Sequence, residues 1–501
     1  MKITIRMAVA AALLLGPAAG NAQSFFGNSD ESAKRTGTQA EEFIGNKPPQ
    51  LKPFFNALYL EGERNAVLNF NHLGLAAMEL GQWEIAKKAF DQAIMRIDAI
   101  YASDENAKKA KSLWNEEKVK DWKGEPYERV MTYYYRGLLY LKDGEFDNAA
   151  AAFRAADYQD TQAEQEEYQG DFGLMPFMAA WAQSCRGNTS TAKDLYESAV
   201  AKDKSVATLT PEMKFLVLVD SGLAPVKYGD GKYKEVLKIR APQAGREKYV
   251  KVVTSQAEAF SVTDTWAVGD VQMQAETRGG RPIDGILNGK AQWKAGTETA
   301  GQVATTFGLA AMQAGFASNN RDIGNAGAIV GLLGMFANLA AAAMTPAADV
   351  RRWGSLPNLI HAASVNVLPA PQTATKPAEA APDAPAAVKP AEMDASAEAA
   401  ADEKPADEKR GEVQAVEARA VEAKPVEPKI KIEFETDAGK LTRDPALMVA
   451  GGACGFAWAR TRSALMPGDG GTALVSPSPK IDDAGREKQN GAFRSQLLQT
   501  F

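Results

Sequence analysis

LGLAAMELGQWEIAKKAFDQAI, residues 73–94, decides the reading of the first half of the chain. Small residues at Gly74, Ala77, Ala86 and Ala93 alternate with Leu73, Trp83 and Phe90 at helical spacing, and Gly81 breaks the run into two helices. The pattern returns at YYYRGLLYLKDGEFDNAAAAFRAA, residues 133–156, where Tyr133, Gly137, Tyr140, Gly144, Phe146, Ala149, Phe153 and Ala156 keep the register. Ala180, Gly187, Ala192, Tyr196 and Ala199 make a weaker third copy. The spacing predicts helical hairpins in which Gly74, Gly137 and Ala180 let two helices approach closely. Phe90, Phe153 and Tyr196 are expected to fill the space between hairpins.

Such a unit of about 34 residues is the tetratricopeptide pattern, and about three units are what a solenoid needs to bury its faces. The copies are interrupted: Gly81 and Gly144 lie 63 residues apart, Gly144 and Gly187 only 43. The first insertion runs through Lys108, Trp114 and Trp122 into Gly124-Glu125-Pro126-Tyr127-Glu128-Arg129, a loop punctuated by Gly124 and Pro126 in which Glu125 and Arg129 are close enough to pair. Concave-face offsets in the first helix of each hairpin select Asn71, Leu75, Met78 and Glu79, then Tyr134, Leu138 and Lys142, then Phe177 and Trp181. Two readings of that face stay open: a groove for an extended peptide or partner helix, or a surface covered by the rest of the chain.

The chain has 501 residues, with 57 Lys and Arg against 63 Asp and Glu. A net charge of -6 offers no general basis for holding a phosphate backbone, so nucleic acid is not an expected partner. Residues 1–22 read as a secretory signal: Lys2 and Arg6, an apolar run from Met7 to Leu15, then small residues ending at Ala22. Export places Cys185 and Cys454, the two cysteines, where a disulfide persists, although sequence leaves their pairing open. His72 and His361 are the only histidines. Acid/base, nucleophile and zinc constellations therefore lack parts, and no catalytic residue, cofactor or metal site is assigned. Phosphate-binding, dinucleotide and calcium loops are absent from the sequence.

Past residue 222 the composition changes. Short β runs at Tyr233–Ile239, Tyr249–Ser255 and Ala257–Val262 precede a Gly/Ala-rich stretch, and runs at Leu359–Leu368, Lys429–Glu435 and Gly455–Arg460 follow it. Antiparallel pairing across the insertion predicts one discontinuous, sandwich-like β domain over 225–280 plus 356–465. The insertion, 281–355, reads as a helical hairpin in which Gly324, Gly327, Gly331 and Gly334 line one packing face. Its 298–345 core leaves membrane contact and self-association open. Residues 369–428, without aromatics and built from Ala, Pro, Glu, Lys and Asp, read as a disordered linker. Residues 23–54 read as an N-terminal extension, 55–222 as the repeat domain and 466–501 as a flexible tail. The fold class expected is α+β and multidomain.

The run Ala347-Ala348-Asp349-Val350-Arg351-Arg352-Trp353-Gly354-Ser355-Leu356-Pro357, taken with the motif at 124–129, resembles an uncharacterised family of Gram-negative envelope proteins with tetratricopeptide repeats, many of them lipoproteins. The resemblance spans most of 55–368 and rests on Glu125, Tyr127, Arg129, Asp349, Arg351 and Trp353. It implies a cell-envelope assembly role, periplasmic or beside the outer membrane, and no catalytic residue. The chain departs from it in lacking a lipid-bearing cysteine after the signal and in carrying the long linker. The expectation is an exported scaffold that binds protein partners through the repeat groove; the alternative is a membrane-inserting or pore-associated component working through 298–345.

Overall fold

A computed structural model describes residues 36–99, 121–161, 170–243, 247–256, 259–277, 348–365, 429–449, 454–465 and 483–501. Helix and sheet are mixed, with helices in the N-terminal half and sheets later. The signal, the glycine hairpin with Gly324, Gly327, Gly331 and Gly334, and the linker 369–428 all lie outside the described residues.

Residues 36–44 (α1) and Lys52–Glu61 (α2) precede three helix pairs: Ala66–Glu79 (α3) with Trp83–Asp98 (α4), Pro126–Lys142 (α5) with Phe146–Asp160 (α6), and Leu174–Arg186 (α7) with Thr189–Lys202 (α8). Turns of two or three residues fold each pair back on itself, and Gly81, Gly144 and Gly187 supply the positive φ those turns require (67°, 75° and 96°). Within a pair the crossing is tight. A Cβ added at Gly74 would stand 2.8 Å from the Phe90 ring, and one at Gly137 would stand 2.5 Å from the Phe153 ring. Phe90 also reaches the next pair, stacking on Tyr135, whereas Phe153 meets Tyr134 within its own pair.

The strands are Phe215–Ser221 (β1), Val226–Asp230 (β2), Val236–Arg240 (β3), Tyr249–Gln256 (β4), Ala259–Asp264 (β5), Trp266–Asp270 (β6), Leu359–Ser364 (β7), Lys429–Thr436 (β8), Gly439–Arg443 (β9), Leu447–Val449 (β10) and Gly455–Arg460 (β11). They form a five-stranded sheet in the order β10-β11-β1-β7-β6, a four-stranded sheet β5-β4-β8-β9 and the ribbon β2-β3. A short helix, Val271–Glu276 (α9), follows β6, and Asp483–Thr500 forms α10.

The five-stranded sheet is the middle layer. Phe215, Val217 and Val219, with Ala457 and Ala459, face Val250, Val252, Ile430, Ile432 and Phe434 of the four-stranded sheet. Leu216 and Leu218, with Ile360, Phe456 and Trp458, face the helices instead. Burial on both faces accounts for the unbroken apolar run Phe-Leu-Val-Leu-Val of β1, which has no alternation to betray a strand.

Four expectations need correction. The repeat domain does not extend to 222, because β1 belongs to the sheet. Pairing is not wholly antiparallel, since β1 and β11 run parallel with Phe215 opposite Gly455 and Asp220 opposite Arg460. The extension 23–54 contributes α1 and the start of α2, whose Phe43 and Phe54 are buried in the helical core. The tail read as flexible from 466 carries α10, whose Phe493 and Leu497 are buried in that core. Among the described residues no helix is long and apolar enough to cross a membrane.

Candidate functional site

The two motifs, some 220 residues apart in the chain, meet at the junction of α5, β2 and the loop 348–358. Pro126 opens α5 at a position that needs no amide donor, and the Glu125 and Glu128 side chains cap the helix reciprocally. This turns the Glu128 carboxylate inward. It accepts from the amides of Glu125 (2.8 Å) and Trp353 (2.9 Å) and from the ammonium of Lys227 on β2. The side chains of Glu128 and Lys227 are 0% and 2% exposed. Burial pushes the Glu128 carboxyl above its ordinary range, with Lys227 pulling the other way.

Lys227 also donates to the Arg351 carbonyl at 3.2 Å, and the Trp122 indole donates to the same oxygen at 3.3 Å. Arg351 is held by Asp349 (2.9 and 3.0 Å from Nε) and donates to Asn65 Oδ1 at 2.6 Å, tying the loop to the start of α3. Trp353 is buried, with its ring against Phe90 and Tyr135 and its indole N–H donating to Ser355 Oγ at 2.9 Å. Tyr127 is buried within 5.6 Å of the Lys227 ammonium, a cation–π contact. Arg129 turns outward from this knot, donating to Gln159 Oε1 at 2.8 Å and to the Gly124 carbonyl at 2.7 Å. All six motif residues are therefore positioned in or around one junction, centred on a seventh residue, Glu128.

A second buried pair lies on the sheet. Asp220 Oδ2 accepts from Tyr135 Oη at 2.7 Å and from Arg460 at 3.2 Å, and Arg460 carries the link on to the Ser355 carbonyl at 2.5 Å. Burial raises the Asp220 pKa to about 6 despite the opposing pull of Arg460 and Tyr135. Cys185 on α7 is bonded to Cys454 at the start of β11, with their Cα atoms 5.5 Å apart. The Asp220–Arg460 pair joins β1 to β11, while the Tyr135–Asp220 hydrogen bond and the disulfide fasten helices to this sheet and the Glu128–Lys227 pair fastens α5 to the β2–β3 ribbon.

The concave-face residues do not line an open groove. Asn71, Leu75, Met78, Tyr134, Leu138, Phe177 and Trp181 are buried, while Glu79 and Lys142 are half-buried. The sheet and its connections occupy the space: Trp181 packs on Phe456 and donates to the Met213 carbonyl at 2.9 Å, and Glu79 accepts from the Ala464 amide at 2.5 Å. Lys142 turns to Asp143 and the Trp83 ring. The open groove is corrected to an internal interface, and the covered reading of that face is the one realised.

Both histidines are placed structurally. His72 Nδ1 lies 3.1 Å from Ser355 Oγ and His361 Nδ1 lies 3.2 Å from Thr265 Oγ1; burial lowers the pKa of each to about 4, so both are neutral at physiological pH. Among the described residues no group of three or more His, Cys, Asp and Glu is placed to hold a metal ion. Sequence reasoning missed Lys227, Asp220 and Arg460, which carry no local pattern. Glu128 had a signal, since an acidic residue, Pro and a second acid three positions on is a helix start. Compared with protein-family models, curated proteins and solved structures, the chain matches none.

Proposed function

We propose that the chain is an exported cell-envelope scaffold of the tetratricopeptide type, without catalytic chemistry of its own, that binds protein partners through its outer surfaces. The observation that carries this reading is the Cys185–Cys454 disulfide between the helical and β layers. Such bonds persist in oxidising compartments, in agreement with the signal read at 1–22. The close Gly74–Phe90 and Gly137–Phe153 crossings support the repeat type. The family-like motifs support an architectural role, because their polar groups are committed to holding the loop 348–358 against α5 and β2.

With the concave face filled, partner contact falls to exposed apolar residues. Trp266 is 54% exposed at the corner where the chain leaves the four-stranded sheet for the five-stranded one, and Val262 on β5 is 52% exposed. Exposed large aromatics of this kind are favoured anchors in protein interfaces.

Two measurements in intact cells test the proposal. Thiol trapping should leave both cysteines unlabelled until reductant is added; free thiols in the untreated protein would overturn the exported reading. A photoreactive amino acid at position 266 should give a discrete adduct with another protein. Recovery of the uncross-linked chain alone would overturn this surface as the partner site.

A further inference from the structure

α10 lies in a groove formed by α2, α3 and α4, and its contacts are those of a ligand. Phe493, Leu497 and Phe501 recur every four residues, which places them on one helical face. Phe493 and Leu497 are buried, Phe493 meets Phe70 edge-on at 6.0 Å, and Phe501 meets Phe55 at 5.2 Å. Leu498, to one side of that face, is 62% exposed.

The groove is matched to this occupant in its polar positions as well. Arg96 sits over both Phe70 and Phe493, at 5.1 and 5.3 Å from the ring centres, and donates to Gln496 Oε1 at 2.8 Å. Gly62 leaves a notch that Asn490 fills: a Cβ there would stand 2.1 Å from Asn490 Oδ1, the same oxygen that accepts from the Glu63 amide at 3.2 Å. The helix itself is weak. It contains Gly485 and Gly491 and few apolar residues, so it has little to hold it helical away from the groove. Seventeen residues, 466–482, separate it from the loop after β11, which makes its docking a tethered, intramolecular binding event.

We infer that the α2–α3–α4 groove is a helix-binding site, that the segment from Phe493 to Phe501 is its resident ligand, and that its partner in trans is an amphipathic helix presenting the same anchors: aromatic, aliphatic and aromatic at four-residue intervals, with an amide side chain facing Arg96. Such a helix competes with α10 for one surface, so partner binding and release of α10 are a single equilibrium. This inference goes beyond the scaffold proposal and does not depend on it. A failed cross-link at position 266 leaves the groove as it is, and a failed groove test leaves that surface as it is.

The test uses the full chain carrying Phe493→Ala and Leu497→Ala, which weakens the resident helix and leaves the groove intact, with a fluorescent synthetic peptide of residues 483–501 as the probe. Anisotropy should show saturable binding at least tenfold tighter to the double variant than to the parent, whose own helix competes. Adding Arg96→Ala to the variant should weaken the peptide several-fold, and a peptide with both anchors changed to Ala should bind neither protein. Equal affinity for parent and variant, or no binding to the variant at millimolar peptide, overturns the inference. Hydrogen exchange on the parent covers the case in which the variant fails to fold: α10 amides should exchange far faster than those of α5. Exchange of both at the same rate would make α10 an inseparable part of the core and would also overturn it.

Discussion

Glu128→Gln should be among the most damaging conservative substitutions in the chain. The carboxylate takes three donors, from Lys227, Glu125 and Trp353, with its side chain fully buried. Gln keeps the shape but offers one acceptor oxygen and turns an amide donor toward donors. The Lys227 ammonium is then left without its counter-charge at 2% exposure. Breaking one half of a buried pair in this way costs about 3–5 kcal/mol, because the remaining charge is stranded rather than because the pair itself is worth that much. Lys227→Met should cost about as much, since it strands the carboxylate instead.

The double substitution removes both charges, so its cost should fall short of the sum of the singles by about 2–3 kcal/mol, at the upper end for neighbouring groups. Urea unfolding of the oxidised protein, followed by far-ultraviolet circular dichroism and tryptophan emission, gives each value from the midpoint, provided the slope is unchanged. A single-substitution cost below about 0.5 kcal/mol, the range of an ordinary surface change, would refute the argument, as would strict additivity in the double variant.

Other substitutions test the remaining fastenings. Gly137→Leu should cost at least about 1–3 kcal/mol by overpacking against Phe153, seen as a lower melting temperature, whereas Gly144→Ala, with open space around its Cβ, should cost only about 1–2 kcal/mol through its positive φ. Replacing Cys185 and Cys454 together with Ser should cost about 2–4 kcal/mol in urea unfolding, because the bond closes a loop across 269 positions of sequence. Asp220, raised from 3.8 to about 6 in the folded chain, binds its proton more tightly folded than unfolded. Its contribution should therefore make stability fall by up to about 3 kcal/mol as pH rises from 4 to 6 and stay constant above that; Asp220→Asn should flatten this part of the profile, and an unchanged profile would refute the assignment.

The helix pairs were legible because their signal is local. Gly81, Gly144 and Gly187 mark turns that need a positive φ, and Gly74 and Gly137 mark crossings that admit no side chain. Strands β4, β8 and β11 were legible within a residue or two for the same reason, with short runs of β-branched or alternating residues between breakers. β1 was not, because a strand buried on both faces loses its period and reads as a continuation of whatever precedes it. α10 was hidden differently: two glycines and a mostly polar sequence argue for a flexible tail, and only the groove that receives Phe493 and Leu497 supplies the missing stability.

The site was half legible, and the missing half is the more instructive. Offsets within a repeat select Asn71, Leu75, Tyr134, Leu138 and Trp181, and all five are buried. What meets them there depends on a contact between Trp181 and Phe456, 275 positions later, and no local pattern encodes it. The same holds for Glu128, whose inward turn follows from Pro126 and the reciprocal cap, but whose cation comes from Lys227 on the β2–β3 ribbon, far along the chain. Sequence periodicity therefore locates a surface without saying whether it is vacant. In this chain the sheet covers these residues and is fastened to the helices by the disulfide and the Tyr135–Asp220 hydrogen bond. The α2–α3–α4 groove is filled by a weak helix on a tether, and that difference in fastening makes it the surface more easily vacated.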